Sequence, residues 1–171
     1  MDAPFTRRTL IGAAGALALG ALRTARALER PAGPVVLTVK GRVRIPNQGA
    51  QADFDMAMLA RMPQTSFTTR TPWYAKPRKF TGPLLRDLLA AAGAQGTTLR
   101  AIALNDYQVE LPADDAMRFD VIVARLLDDQ PMAVRDKGPL FMIYPFDAQP
   151  ELRNPVHYSR SAWQLRTIEV R

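Results

Sequence analysis

Five apolar residues fenced by proline constrain this chain more than any other stretch: Leu140-Phe141-Met142-Ile143-Tyr144, between Gly138-Pro139 and Pro145. A short apolar run with turn signals at both ends reads as a strand buried on both faces. A second apolar segment, carrying Trp163, Leu165, Ile168 and Val170, closes the chain. Between the two lies a stretch rich in Asp, Pro, Arg and Asn, expected to be a loop, that holds the only histidine, His157. Two core strands joined by a charged loop demand a sheet framework around them. Loops held by rigid strands are common places for a binding site.

The length of 171 residues, 47% of them hydrophobic, suits one domain with a proper core and not two. Fourteen prolines and ten glycines favour a mixed or β-rich fold over a bundle. Cysteine is absent, which excludes a disulfide, a thiolate metal site and a cysteine nucleophile. A single histidine excludes a multi-histidine zinc site. The formal net charge of +7 is inflated by the N-terminus, where Arg7, Arg8, Arg23 and Arg26 face Asp2 alone. The remaining basic residues are scattered, so no nucleic-acid partner is expected, while a small anionic ligand is compatible with the charge.

Thr6-Arg7-Arg8-Thr9-Leu10-Ile11 opens a mildly apolar run that ends at Leu22, and Ala25-Arg26-Ala27 follows it. Basic start, short apolar middle and small-residue exit describe a signal peptide over residues 1–27. The paired arginines look like a twin-arginine signal, a route that exports proteins already folded. The expectation is a mature domain over residues 28–171, periplasmic, with no membrane span once the signal is removed.

Along the mature chain, residues 35–44 alternate as a half-buried strand, with Gly41 marking a bulge or a close approach. Asp53 is expected to cap a short helix bearing Phe54, Met58 and Leu59, which Met62-Pro63 ends. Residues 64–69 read as an edge strand. A loop with four basic residues is expected from Arg70 to Lys79. Leu84 to Gly93 is the clearest helix, with Pro83 suited to its first turn and Gly93 to its end. Residues 99–104 and 107–111 form two strands turned at Asn105-Asp106. A short helix follows over residues 112–119, with Asp114 and Asp115 as caps rather than catalytic acids. A buried strand is expected over 121–127, then a turn at Asp128-Asp129-Gln130-Pro131. The short elements argue for one α+β domain.

Several pieces in this order carry a resemblance: Leu37-Thr38-Val39-Lys40-Gly41-Arg42-Val43, Phe80-Thr81-Gly82 before Leu84-Leu85-Arg86-Asp87-Leu88-Leu89, Asn105-Asp106-Tyr107, Gly138-Pro139-Leu140 and Trp163 to Val170. From Val35 to Arg171 the chain resembles the molybdopterin-binding domain of the sulfite oxidase family of oxidoreductases. The resemblance implies an α+β fold with a mixed β-sheet framework and short helices. It also implies a molybdenum-ligating cysteine thiolate, in a region that here reads Thr68-Thr69-Arg70-Thr71-Pro72-Trp73. Threonine and arginine do not replace a soft thiolate in an oxo-molybdenum centre. The expectation is therefore a non-catalytic member with no cofactor, although its cleft could accept molybdopterin. The alternative is a molybdopterin-dependent oxidoreductase with an unconventional metal centre.

The candidate cleft residues are Trp73, Asn105, Asp106, Tyr107, Arg135, Lys137, His157 and Arg160. Trp73 and Tyr74 stand beside Lys76, Arg78 and Lys79, an aromatic platform among cations. Arg135 and Lys137 are placed to pair with an anionic head group. Asn105, Asp106 and Tyr107 are placed to line a pocket mouth, although Asn-Asp is also ordinary turn chemistry. His157, Tyr158 and Arg160 lie where the resemblance puts cofactor contacts. The expected partner is a small anionic ligand, or a periplasmic or membrane protein.

Overall fold

The alternating apolar residues at the start and the apolar segment at the end form one structure: the first and last strands lie side by side. In the computed structural model, which describes residues 27–171, the chain order begins with β1 (Val35–Gly41), β2 (Ala52–Asp55), α1 (Met56–Arg61), β3 (Thr65–Thr71), β4 (Tyr74–Gly82) and α2 (Leu85–Ala91). It continues with β5 (Thr98–Ala103), β6 (Gln108–Pro112), α3 (Asp115–Arg118), β7 (Ile122–Ala124), β8 (Leu126–Leu127) and β9 (Gln130–Pro131). The closing elements are β10 (Phe141–Ile143), α4 (Pro155–Arg160) and β11 (Leu165–Val170). The twin-arginine signal reading lies outside the described residues, apart from Ala27.

The 5-stranded sheet has the order β2-β1-β11-β5-β6, and β11 is its middle strand. β1 runs parallel to β11, with Thr38 opposite Thr167 and Gly41 opposite Val170, while the other pairs are antiparallel. Gly41 has φ +90, and a Cβ there would strike the Val170 carbonyl. Only glycine lets the two backbones approach this closely. A 4-stranded sheet, β3-β4-β8-β9, and the β10-β7 pair form the rest of the framework. Bridges at Phe141–Trp163 and Leu84–Ile122 tie these pieces together. Every residue of β7 and β10 is buried, as the proline-fenced run requires.

Several expectations change in the fold. Asp55, not Asp53, caps the first helix: its side chain accepts from Met58 N at 2.7 Å and from Ala32 N and Gly33 N at 2.8 Å each. Asp53 sits on β2 and accepts from Thr38 Oγ1 at 2.6 Å, so its carboxylate serves the strand pair. The expected basic loop from Arg70 to Lys79 is a hairpin, with Pro72-Trp73 at its tip and β4 running straight through Pro77. Proline is accommodated there because β8 pairs with β4 only at Phe80 and Thr81. Pro83 precedes the N-cap Leu84 rather than entering the helix, while Gly93, at φ +62, does end α2. The buried strand expected over 121–127 divides into β7 and β8, which pair with different partners.

The turn at Asp128-Asp129 has φ 48 and φ 64, the left-handed pair that a two-residue hairpin uses. Asp128 accepts from Lys79 N at 2.9 Å, and that bond chiefly holds its carboxyl below the usual carboxylate range. The expected loop around His157 is largely ordered as a 3-10 turn, Pro150–Leu152, followed by α4. Asn154 caps α4 by accepting from Val156 N and His157 N at 3.0 and 3.1 Å. Asp114 makes no side-chain cap, and Asp115 is buried in a different role.

Candidate functional site

Three places in the fold converge on one cleft of about 430 Å3. The tip of the β3–β4 hairpin contributes Pro72 and Trp73, the β5–β6 turn contributes Asn105 and Tyr107, and α4 with the segment after it contributes Tyr158, Ser159, Ser161 and Trp163. Among the described residues, no charged one lines it. The Trp73 ring packs against Phe141 at 5.5 Å, Trp163 at 5.4 Å and Tyr158 at 6.2 Å between centroids, the last two edge-on. Such contacts hold the rings in place, because edge-to-face geometry matches the positive rim of one ring to the negative face of another. Tyr107 Oη donates to the Ser159 carbonyl at 2.8 Å, which joins the β5–β6 turn to α4. Asn105 Oδ1 accepts from Tyr107 N at 3.2 Å and shapes the turn.

A second, polar recess of about 350 Å3 lies around Tyr74, Arg78, Gln130, Arg135, Asp136 and Lys137. The Lys137 ammonium stands 5.1 Å from the Tyr74 ring centre and 5.8 Å from that of Trp163. Arg78 also stands 5.1 Å from the Tyr74 ring centre. Burial pushes the Tyr74 phenol up, and its buried oxygen has no hydrogen-bond partner among the described residues. Arg135 is 88% exposed and lies 3.5 Å from Asp136.

The remaining candidates lie apart from both recesses. Arg160 donates to Asp115 Oδ2 at 2.9 Å, and the Tyr144 hydroxyl donates to the same oxygen at 2.7 Å. Burial foremost, and then the Asp115 carboxylate, push the Tyr144 phenol far above its ordinary range. His157 stands edge-on to Tyr144 and Phe119, at 5.4 and 5.8 Å between centroids, with Nδ1 against Asn154. Burial, helped by the Arg160 charge, holds its imidazole below the usual value. Asp106 is exposed on its turn, 3.9 Å from Arg166. The eight sequence candidates therefore divide: Trp73, Asn105 and Tyr107 share the aromatic cleft, Arg135 and Lys137 share the polar recess, and Asp106, His157 and Arg160 line neither.

Sequence reasoning did not place Trp163 or Asp115 at a site. Trp163 reads as a core-strand residue, which it also is, since it bridges Phe141. Asp115 reads as a cap because nothing local reveals Arg160, 45 residues further on.

Residues 32–147 match the family described as the oxidoreductase molybdopterin binding domain. The chain belongs to that family. Among solved structures, the sulfane dehydrogenase SoxCD from Paracoccus pantotrophus is similar in fold, with a TM-score of 0.58 at 18% sequence identity. The similarity covers 78% of this chain and 37% of that one, so this domain spans well under half the length of its structural relative. A search of curated proteins finds no match. The architecture is thus the sulfite oxidase-type molybdopterin-binding fold.

The metal that accompanies molybdopterin does not fit this member of the family. Its chain has no cysteine to supply a thiolate. In the segment where the resemblance puts that ligand, Thr69 Oγ1 is buried and accepts from Asp147 N at 3.0 Å. Thr71 Oγ1 is buried without a partner among the described residues. Neutral hydroxyls and a guanidinium do not offer the soft anionic donor an oxo-molybdenum centre uses. Among the described residues, no group of three or more His, Cys, Asp or Glu is placed to hold a metal ion.

Proposed function

We propose that this family member is a non-catalytic binding domain that acts in the periplasm, where it holds a small ligand in the aromatic cleft. The observation that carries the reading is the pairing of a missing thiolate with a well-formed cleft: the donor needed for molybdenum is gone, yet Trp73, Tyr107, Tyr158 and Trp163 still wall a space of about 430 Å3. A cavity of that size with aromatic walls suits a small flat molecule. The excess of basic over acidic residues favours an anion over a cation. The Arg7-Arg8 leader supports export in the folded state. Among the described residues, no helix is long and apolar enough to cross a membrane.

The test is metal analysis with pterin fluorescence on protein taken from the exported fraction of its native host. The expected result is a folded protein with neither molybdenum nor pterin, whose thermal transition rises with a small aromatic anion. Stoichiometric molybdenum with a released pterin overturns the reading and makes the domain an oxidoreductase with an unconventional metal centre. Recovery of the protein in the cytoplasm alone removes the periplasmic part.

A further inference from the structure

A smaller recess of about 310 Å3 meets the aromatic cleft at Pro72 and Tyr158, which line both. Its other lining residues are Arg70, Thr71, Asp147 and Arg153. Arg153 is held in place: its Nε donates to the Phe146 carbonyl at 2.9 Å and its Nη2 to Asp147 Oδ1 at 2.7 Å. The other Asp147 oxygen accepts from the Arg70 backbone N–H at 2.9 Å. Asp147 is thus engaged by the backbone of one arginine and the side chain of the other. The Arg70 guanidinium itself has no hydrogen bond or ion pair among the described residues.

The recess therefore offers two guanidiniums against one carboxylate, a net single positive charge. Next to it stands an uncharged aromatic cleft. We propose that the two recesses form one site for an aryl carboxylate, with the ring among Trp73, Tyr107, Tyr158 and Trp163 and the carboxylate on the Arg70 guanidinium. This rests on the reading that the aromatic cleft binds a small ligand, and it names the ligand's class. A carboxylate matches the fork of a free guanidinium with two parallel hydrogen bonds. One net positive charge balances a monoanion, whereas a phosphate dianion would leave charge uncompensated. Lys137 does not line the aromatic cleft, which places the anionic end on the Arg70 side.

Isothermal titration of the exported protein with 2-naphthoate, its neutral carboxamide and inorganic sulfate tests the assignment. The expected result is one naphthoate per chain, with the carboxamide weaker by about tenfold and sulfate alone not binding, as loss of a charge-assisted pair dictates. Arg70→Gln should bring naphthoate down to the carboxamide's affinity and leave the carboxamide unchanged. Its guanidinium holds no hydrogen bond or ion pair among the described residues, so the variant should fold, which far-UV circular dichroism checks. Lys137→Gln should leave naphthoate affinity as it was. Equal binding of acid and amide overturns the carboxylate assignment while the cleft reading stands, and so does a loss on Lys137→Gln in place of Arg70→Gln. Absence of binding by both aromatic probes overturns the assignment and the cleft reading together.

Discussion

Asp115 binds Arg160 and the Tyr144 hydroxyl through one carboxylate oxygen, almost entirely out of water. A buried ion pair adds little net stability, but removing one partner strands the other. Asp115→Ala should therefore cost about 3–5 kcal/mol in urea unfolding, because it leaves Arg160 and Tyr144 unpaired together. Tyr144→Phe should cost only about 1 kcal/mol, since the ion pair survives. A smaller loss for Asp115→Ala than for Tyr144→Phe would refute this account. His157, packed between Phe119 and Tyr144, adds a pH dependence. Its folded-state pKa lies below the ordinary histidine value of 6.5, so the unfolded chain takes up the proton first on acidification. Its contribution is present above pH 6.5 and is lost as pH falls through the lowered value. Unfolding free energy measured below pH 6.5 should fall less steeply in His157→Gln than in the parent.

At the scale of elements, the short helices depend on their ends. α1 has only six residues, too few to persist without tertiary support. Asp55 supports it by capping Met58 N and also anchors the incoming backbone at Ala32 and Gly33. Asp55→Ala should cost about 1–2 kcal/mol by thermal or chemical unfolding. The Met58 backbone bond foremost holds the Asp55 carboxyl below 3.8, so this stability is present above pH 3.8 and lost as pH falls further. Between strands, Gly41 is the tightest condition. Gly41→Ala should destabilise by at least ~1 kcal/mol, because φ +90 and the Val170 carbonyl both oppose a Cβ. An unchanged melting temperature for that variant would mean that β1 and β11 can separate without loss.

For the whole molecule, the closing strand decides cooperativity. β11 lies between β1 and β5, and the Trp163 segment before it bridges β10, so the last residues join the first strand to the middle of the chain. A chain truncated after Ser161 should not fold, whereas the intact domain should unfold in one transition. Coincident curves from tryptophan fluorescence and far-UV circular dichroism would establish the latter. Separate curves would mean that the Trp73–Trp163 region opens independently of the main sheet.

Much of this was readable from the chain alone. The proline-fenced run became β10, the Leu84–Gly93 helix formed, Gly41 marked a close backbone approach, and the ordered motifs pointed to the molybdopterin-binding fold. These features rest on local pattern: apolar periodicity, turn chemistry and a glycine without a substitute. The absence of cysteine is a fact of sequence and already bears on what chemistry the domain supports. Tertiary structure decided which of two nearby aspartates capped a helix, and that Asp115 faces Arg160 rather than a helix end. It also separated Lys137 from the cleft that Trp73 and Tyr107 share with Tyr158 and Trp163. The physical reason is distance along the chain. Cleft walls come from a hairpin tip, a turn and a helix far apart in sequence, and local preference carries no information about which distant side chains a fold will bring within a few ångströms.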